Sequence, residues 1–204
     1  MDKYVGKRLD GRYEIQEIIG VGGMAYVYKA YDAVDDRIVA VKILKDEFLN
    51  NEEFVRRFRN ESKAIAILNH PNIVKVLDVG FGERLQYIVM EYVDGITLKD
   101  FIRSQKIIPA GIAIKITMQI LSALQHAHER GVIHRDIKPD NILFVKGVPK
   151  LADIGLVSSL SASVTRLAGT LEFIPPEERT ADSLDSSDRR ARQRNDLYAF
   201  GKVF

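Results

Sequence analysis

Between Tyr13 and Ile19, and again between Ala25 and Tyr31, β-branched and aromatic residues dominate, and Gly20-Val21-Gly22-Gly23 separates the two runs. The pattern predicts two strands joined by a glycine turn. Arg37 to Leu44 predicts a third strand. There, period two sets Val39, Val41 and Ile43 on one face and Ala40 and Lys42 on the other. From about Asn51 to Leu68 the periodicity becomes helical. Phe54, Phe58, Glu61, Ile65 and Leu68 share one face, and His70-Pro71 stops the helix. A carboxylate within an apolar stripe needs a partner. Two more strands are predicted near Ile73 to Val79 and Leu85 to Tyr92, with Phe81-Gly82 at the turn.

After Asp94-Gly95 the character changes. Thr97 to Gln105 predicts a short helix, and Pro109 to Arg130 a long one, with Gly131 just past its end. Short strands and loops follow to about Leu156. Ser158 to Thr170 is rich in Ser and Thr and reads as mobile. Asp196 to Phe204 begins as an apolar helix. Arg189, Arg190, Arg192 and Arg194 read as a solvated, partly disordered turn. His70, His126 and His128 read as helix-end or packing residues. No internal repeat is present.

Composition narrows the class. Of 204 residues, 46% are hydrophobic and 28% charged, which excludes a disordered tail, a collagen-like repeat and a membrane bundle. Thirty Lys and Arg against 28 Asp and Glu leave a net charge of +2, too small to argue for nucleic acid. Cys is absent, so no disulfide, thiolate nucleophile or Cys-ligated zinc exists, in keeping with the cytoplasm. No apolar run is long enough to span a bilayer. The opening MDKYVGKRLD lacks the apolar core of a signal peptide.

The most specific string is His134-Arg135-Asp136-Ile137-Lys138-Pro139-Asp140-Asn141. It resembles the catalytic loop, H-R-D-x-K-x-x-N, of the eukaryotic-type (Hanks-type) serine/threonine protein kinases, in their bacterial branch. The resemblance implies that Asp136 orients the attacking hydroxyl and accepts its proton, that Lys138 offsets charge on the transferring phosphate, and that Asn141 offers oxygen to Mg²⁺. Asp153-Ile154-Gly155 resembles D-F-G with Ile for Phe, which makes Asp153 the second metal ligand. Ile38 to Ile43 resembles the V-A-I-K strand, whose Lys42 would hold the α- and β-phosphates and pair with Glu61. Gly20, Val21, Gly22 and Gly23 resemble the phosphate-covering loop, with Ala25 in place of its third glycine. Val27 and Ala40 would cover the adenine, with Leu143 below it. Met90-Glu91-Tyr92-Val93 resembles the hinge, where Met90 guards the deeper pocket and backbone groups of Glu91 and Val93 bond the adenine edge.

Ser158 to Glu177 resembles the activation segment. Gly169-Thr170 and Pro175-Pro176-Glu177 match its close, with Pro175 for Ala. Thr170 would bond Asp136 and Lys138. Thr165 is the candidate phosphate acceptor, with Ser163 second, and Arg135 would receive that phosphate. The motifs run in family order from Leu9 to Phe204. In relatives more helices follow, so the resemblance implies a kinase truncated in its C-terminal lobe, with Glu177 lacking its later Arg partner.

The expected fold is α+β and protein-kinase-like. Residues 1–93 form an N-lobe with a five-stranded antiparallel sheet and one helix, and residues 94–204 form a partial helical C-lobe. The expected activity is transfer of the ATP γ-phosphoryl group to protein Ser/Thr hydroxyls, with ATP and Mg²⁺ as cofactors. The alternative is a weak or inactive ATP-binding fragment that serves as a scaffold. The expected partner is a protein substrate, with a second copy of the chain as a further candidate and no nucleic acid.

Overall fold

The computed structural model describes residues 2–82, 84–105, 107–154, 171–176 and 189–203. The chain divides into two units, Met1–Ile67 with Lys75–Val93, and Leu68–Val74 with Asp94–Phe204.

The first unit holds β1 (Arg8–Leu9), β2 (Tyr13–Val21), β3 (Ala25–Asp32), β4 (Arg37–Leu44), β5 (Val76–Phe81) and β6 (Gln86–Glu91). They form one antiparallel sheet in the order β1-β2-β3-β4-β6-β5. The sheet therefore has six strands rather than the five expected. β1 is two residues long, too short to carry an alternating signal. A second helix was also unforeseen. The four-residue α1 (Asp46–Leu49) precedes α2 (Glu52–Ala66) and is likewise too short for a period. α2 starts where Asn51 Oδ1 accepts the Phe54 N–H at 3.0 Å, a side-chain cap. Its buried residues are Phe54, Phe58, Ser62 and Ile65, the predicted stripe with Ser62 added.

Register explains the core. Ala30, Tyr28 and Tyr26 lie opposite Val39, Val41 and Ile43, which in turn face Glu91, Val89 and Tyr87. Tyr13, Ile15, Tyr28, Ala30, Val39, Val41, Ile43, Tyr87 and Val89 thus gather on one face, joined by Tyr4 and Leu9. Buried tyrosines need partners for their hydroxyls. Tyr13 donates to Asp78 at 2.6 Å, Tyr28 to Asp2 at 3.1 Å, and Tyr87 to Asp10. Burial, reinforced by these carboxylates, pushes all three hydroxyls above the usual tyrosine range.

The expected strand at Ile73 begins three residues later. Ile73 and Val74 pair instead with Leu151 of the second unit, through a parallel bridge and a Val74 N–H bond of 2.8 Å. That unit contains β7 (Ile96–Thr97), α3 (Leu98–Ser104), α4 (Ala110–Glu129), β8 (Ile142–Val145), β9 (Val148–Leu151) and α5 (Arg189–Gly201). β7, β8 and β9 form an antiparallel sheet, and Lys146 and Gly147, both at positive φ, make the β8–β9 turn. α4 buries Ile116, Ile120, Ala123, Leu124 and Ala127. It ends with Gly131 at φ +81° donating to the His128 carbonyl. Arg189 to Arg194 is helix, not the solvated turn expected. Arginine is a strong helix former, and these residues open α5.

One ion pair closes the β3–β4 turn. Arg12 donates to the buried Asp32 carboxylate at 2.6 and 2.7 Å, and the Val34 and Asp35 N–H groups cap the same carboxylate. The Arg12 hydrogen bonds hold Asp32 down at about 2, against an ordinary 3.8. A lowered folded value contributes stability above the ordinary one, and that contribution is lost as pH falls from about 4 toward 2. Arg12→Ala is expected to lower stability at pH 7. Urea unfolding at pH 7 and pH 3 checks this, and the difference from the parent chain should shrink at pH 3.

Candidate active site

The sheet face opposite the tyrosine core displays a different set of residues. Val27 lies opposite Lys42, Lys42 opposite Ile88, and Ala40 opposite Met90. Directly opposed residues share a face, so Val27, Ala40, Lys42 and Met90 are displayed together. Lys42 is a cation buried to 7% exposure. Glu61 is half-buried on α2. The Glu91 N–H donates to the Lys75 carbonyl at 2.9 Å.

Gly20, Val21, Gly22 and Gly23 lie at the β2–β3 turn. Gly22 donates its N–H to the Ala25 carbonyl at 2.9 Å. None of the three glycines has a positive φ. A Cβ on Gly20 or Gly22 would meet only ordinary contacts of 3.4–3.5 Å, and one on Gly23 would meet nothing. The turn itself therefore does not demand glycine. Bare backbone here suits close approach by another group.

In the second unit the loop 134–141 is fixed from beneath. Asp196, 1% exposed, accepts the His134 N–H through Oδ2 and the Arg135 N–H through Oδ1, both at 2.8 Å. His128 Nε2 donates to Asp196 Oδ2 at 2.8 Å, so this histidine does more than pack. Arg135 sits at φ +69°, and such strain persists only where neighbours enforce it. His134 accepts the Asp136 N–H on Nδ1 at 3.3 Å and meets the Ala152 carbonyl with Nε2 at 3.0 Å. Burial holds its imidazole below the usual histidine range. A neutral ring with the proton on Nε2 satisfies both contacts.

Asp136 stands at the centre of the loop. Its Oδ2 accepts from Asn141 Nδ2 and Lys138 Nζ, each at 2.9 Å, and Asn141 Nδ2 also reaches the Asp136 carbonyl at 2.8 Å. Oδ1 is shut off from solvent and has no donor among the described residues. The Asn141 amide nitrogen is committed to Asp136, so its oxygen is the donor left for a cation. The Ala152 N–H donates to the Asn141 carbonyl at 2.9 Å, which brings Asp153 beside Asn141. An amide oxygen and a carboxylate are hard donors that fit Mg²⁺. No group of three or more metal-ligating His, Cys, Asp or Glu exists among the described residues. A magnesium ion that shares its shell with phosphates and water needs none.

The structure thus brings Asp136, Lys138, Asn141 and Asp153 together in the second unit, and Val27, Ala40, Lys42 and Met90 in the first. Leu143 is half-buried on β8. Thr165, Ser163, Thr170 and Glu177 lie outside the described residues. Sequence reasoning gave Asp196 no role. The available signal was a lone acid opening an apolar helical run, since a buried carboxylate needs donors.

The family profile described as protein kinase domain matches residues 13–204. The chain belongs to the protein kinase family. It is 46% identical over 204 residues to a probable serine/threonine-protein kinase of Clostridium perfringens, covering 98% of this chain and 29% of that protein. It is 42% identical over 204 residues to serine/threonine-protein kinase PrkC of Bacillus subtilis, covering 98% and 30%. The chain thus spans about three tenths of the length of these relatives. Among solved structures, the kinase domain of Mycobacterium tuberculosis PknI matches with a TM-score of 0.75 and 30% identity, over 100% of this chain and 78% of that one. The fold is that of a protein kinase domain, and kinases of this family use ATP with a divalent metal. No helix among the described residues is long and apolar enough to cross a membrane.

Asp196→Ala would leave two buried backbone donors unpaired. It is expected to cost about 2–5 kcal/mol, read by urea unfolding, with His128→Ala milder.

Proposed function

We propose that this chain catalyses transfer of the ATP γ-phosphoryl group to a serine or threonine hydroxyl of a protein substrate, in the cytoplasm. The observation that carries this reading is the asymmetry of Asp136. One carboxylate oxygen is held by Lys138 and Asn141, while the other is buried without a donor among the described residues. A carboxylate anchored through one oxygen, with the lone pairs of the other uncommitted, suits a hydroxyl that must be oriented and relieved of its proton. Lys138 stands 2.9 Å from that carboxylate and can offset charge on the phosphoryl group.

In this reading Lys42 holds the nucleotide phosphates and Glu61 orients Lys42. Val27, Ala40 and Leu143 contact the adenine, Met90 guards the deeper pocket, and the backbone of Glu91 and Val93 bonds the adenine edge. The turn Gly20 to Gly23 covers the phosphates with bare backbone. Asn141 and Asp153 hold Mg²⁺, which when bound neutralises phosphate charge. Phosphorylation at Thr165 would bring a dianion to Arg135.

Asp136→Ala is expected to lower transfer by about 10²–10⁴-fold while ATP binding persists. The measurement is labelled phosphate transfer to casein and to the chain itself, beside ATP binding by thermal shift. Equal transfer by both proteins would reject the assignment. Gly23→Ala separates ligand approach from folding. Stability should change by no more than about 1 kcal/mol, while the ATP dissociation constant should rise about three- to tenfold.

A further inference from the structure

We propose that Asn72 is a positioning residue for Asp153, an inference that rests on the assignment of Asp153 to the divalent cation. Asn72 belongs to none of the motifs that carry the kinase resemblance. It is 5% exposed, and its Nδ2 donates to the Pro149 carbonyl at 2.7 Å. Its own carbonyl accepts the Leu151 N–H at 2.8 Å, and the Val74 N–H donates to the Leu151 carbonyl at 2.8 Å. These bonds run along the edge of β9 that β8 does not use. The Asn72 N–H is committed to His70 Nδ1 and does not continue this pairing, so the Pro149 carbonyl needs a side-chain donor. Asn72 supplies it.

β9 ends two residues before Asp153, which sits at φ +57°. The left-handed region is unfavourable for a residue with a Cβ, so restraint from its neighbours helps Asp153 to hold it. Two restraints act on Ala152, from the Asn141 carbonyl and from His134 Nε2. The third acts on Pro149 and Leu151, and it comes from Asn72. Asn72 is itself held, because its N–H donates to His70 Nδ1 at 3.1 Å and His70 Nε2 meets Ser122 Oγ of α4 at 3.2 Å. A continuous path of hydrogen bonds thus runs from α4 through His70 and Asn72 to the strand that delivers Asp153. Loss of the carboxamide frees β9 to shift and blurs the placement of the Asp153 carboxylate.

Asn72→Leu keeps the volume and the backbone bonds but removes the donor. Asn72→Ser removes the same bond with less bulk and serves if the leucine variant does not fold. Ile120→Ala, a fully buried site on α4, is the control for destabilisation alone. Hydrogen–deuterium exchange over residues 149–154, without nucleotide or metal, is expected to quicken about tenfold in the Asn72 variants and to stay unchanged in the control. The Mg²⁺ concentration for half-maximal thermal stabilisation by ATP should rise about tenfold, again only in the Asn72 variants. Asn72 variants that match the control in both measurements would overturn the proposal. Absence of phosphate transfer by the parent chain would reject the kinase reading instead, and the exchange comparison would still decide the role of Asn72.

Discussion

The Asp196 carboxylate is the interaction on which the second unit depends. One buried anion accepts the N–H groups of two consecutive residues, His134 and Arg135, and a third bond from His128. Backbone donors in a tight, positive-φ turn have no regular secondary structure to satisfy them. A carboxylate has the acceptor capacity to take both at once. With that turn fixed, His134 reaches the Ala152 carbonyl and Asp136 meets Asn141 and Lys138. The loop is therefore rigid because of a group about sixty residues away in sequence, contributed by a helix.

The first unit solves a different problem. A twisted antiparallel sheet has two faces, and here they serve two purposes. The tyrosine-rich face packs, and its hydroxyls are each satisfied by an aspartate. The other face places a buried lysine next to small and apolar neighbours, a costly arrangement unless an anion answers it. Alternation along β4 makes both outcomes follow from the same eight residues, since each step along the strand switches face.

Much of this was legible before the structure. Strands β2, β3, β4 and β6 and helices α2, α3 and α4 carry strong periods, and their bounds fall within a residue or two of those expected. The string 134–141 is legible because its groups are local, with Asp136, Lys138 and Asn141 inside one loop. Other features were not legible. β1 and α1 are shorter than any period. The start of β5 moved because Ile73 and Val74 found a partner in Leu151, a pairing no local pattern encodes. The arginines at the start of α5 look solvated in composition, and they are helical because propensity and the packing of Ala199 and Phe200 outweigh that impression.

The sequence by itself determined the order of the motifs and the face of β4 on which Lys42 must stand. Those follow from spacing, because strand and loop geometry act over a few residues. Only the tertiary structure decided that Asp196 underlies the catalytic loop, that Asn72 closes the open edge of β9, and that Asp136 keeps one oxygen without a donor among the described residues. Each of these is a hydrogen bond, or the lack of one, between groups far apart in the chain. Burial sets its necessity, and burial exists only once the chain has folded.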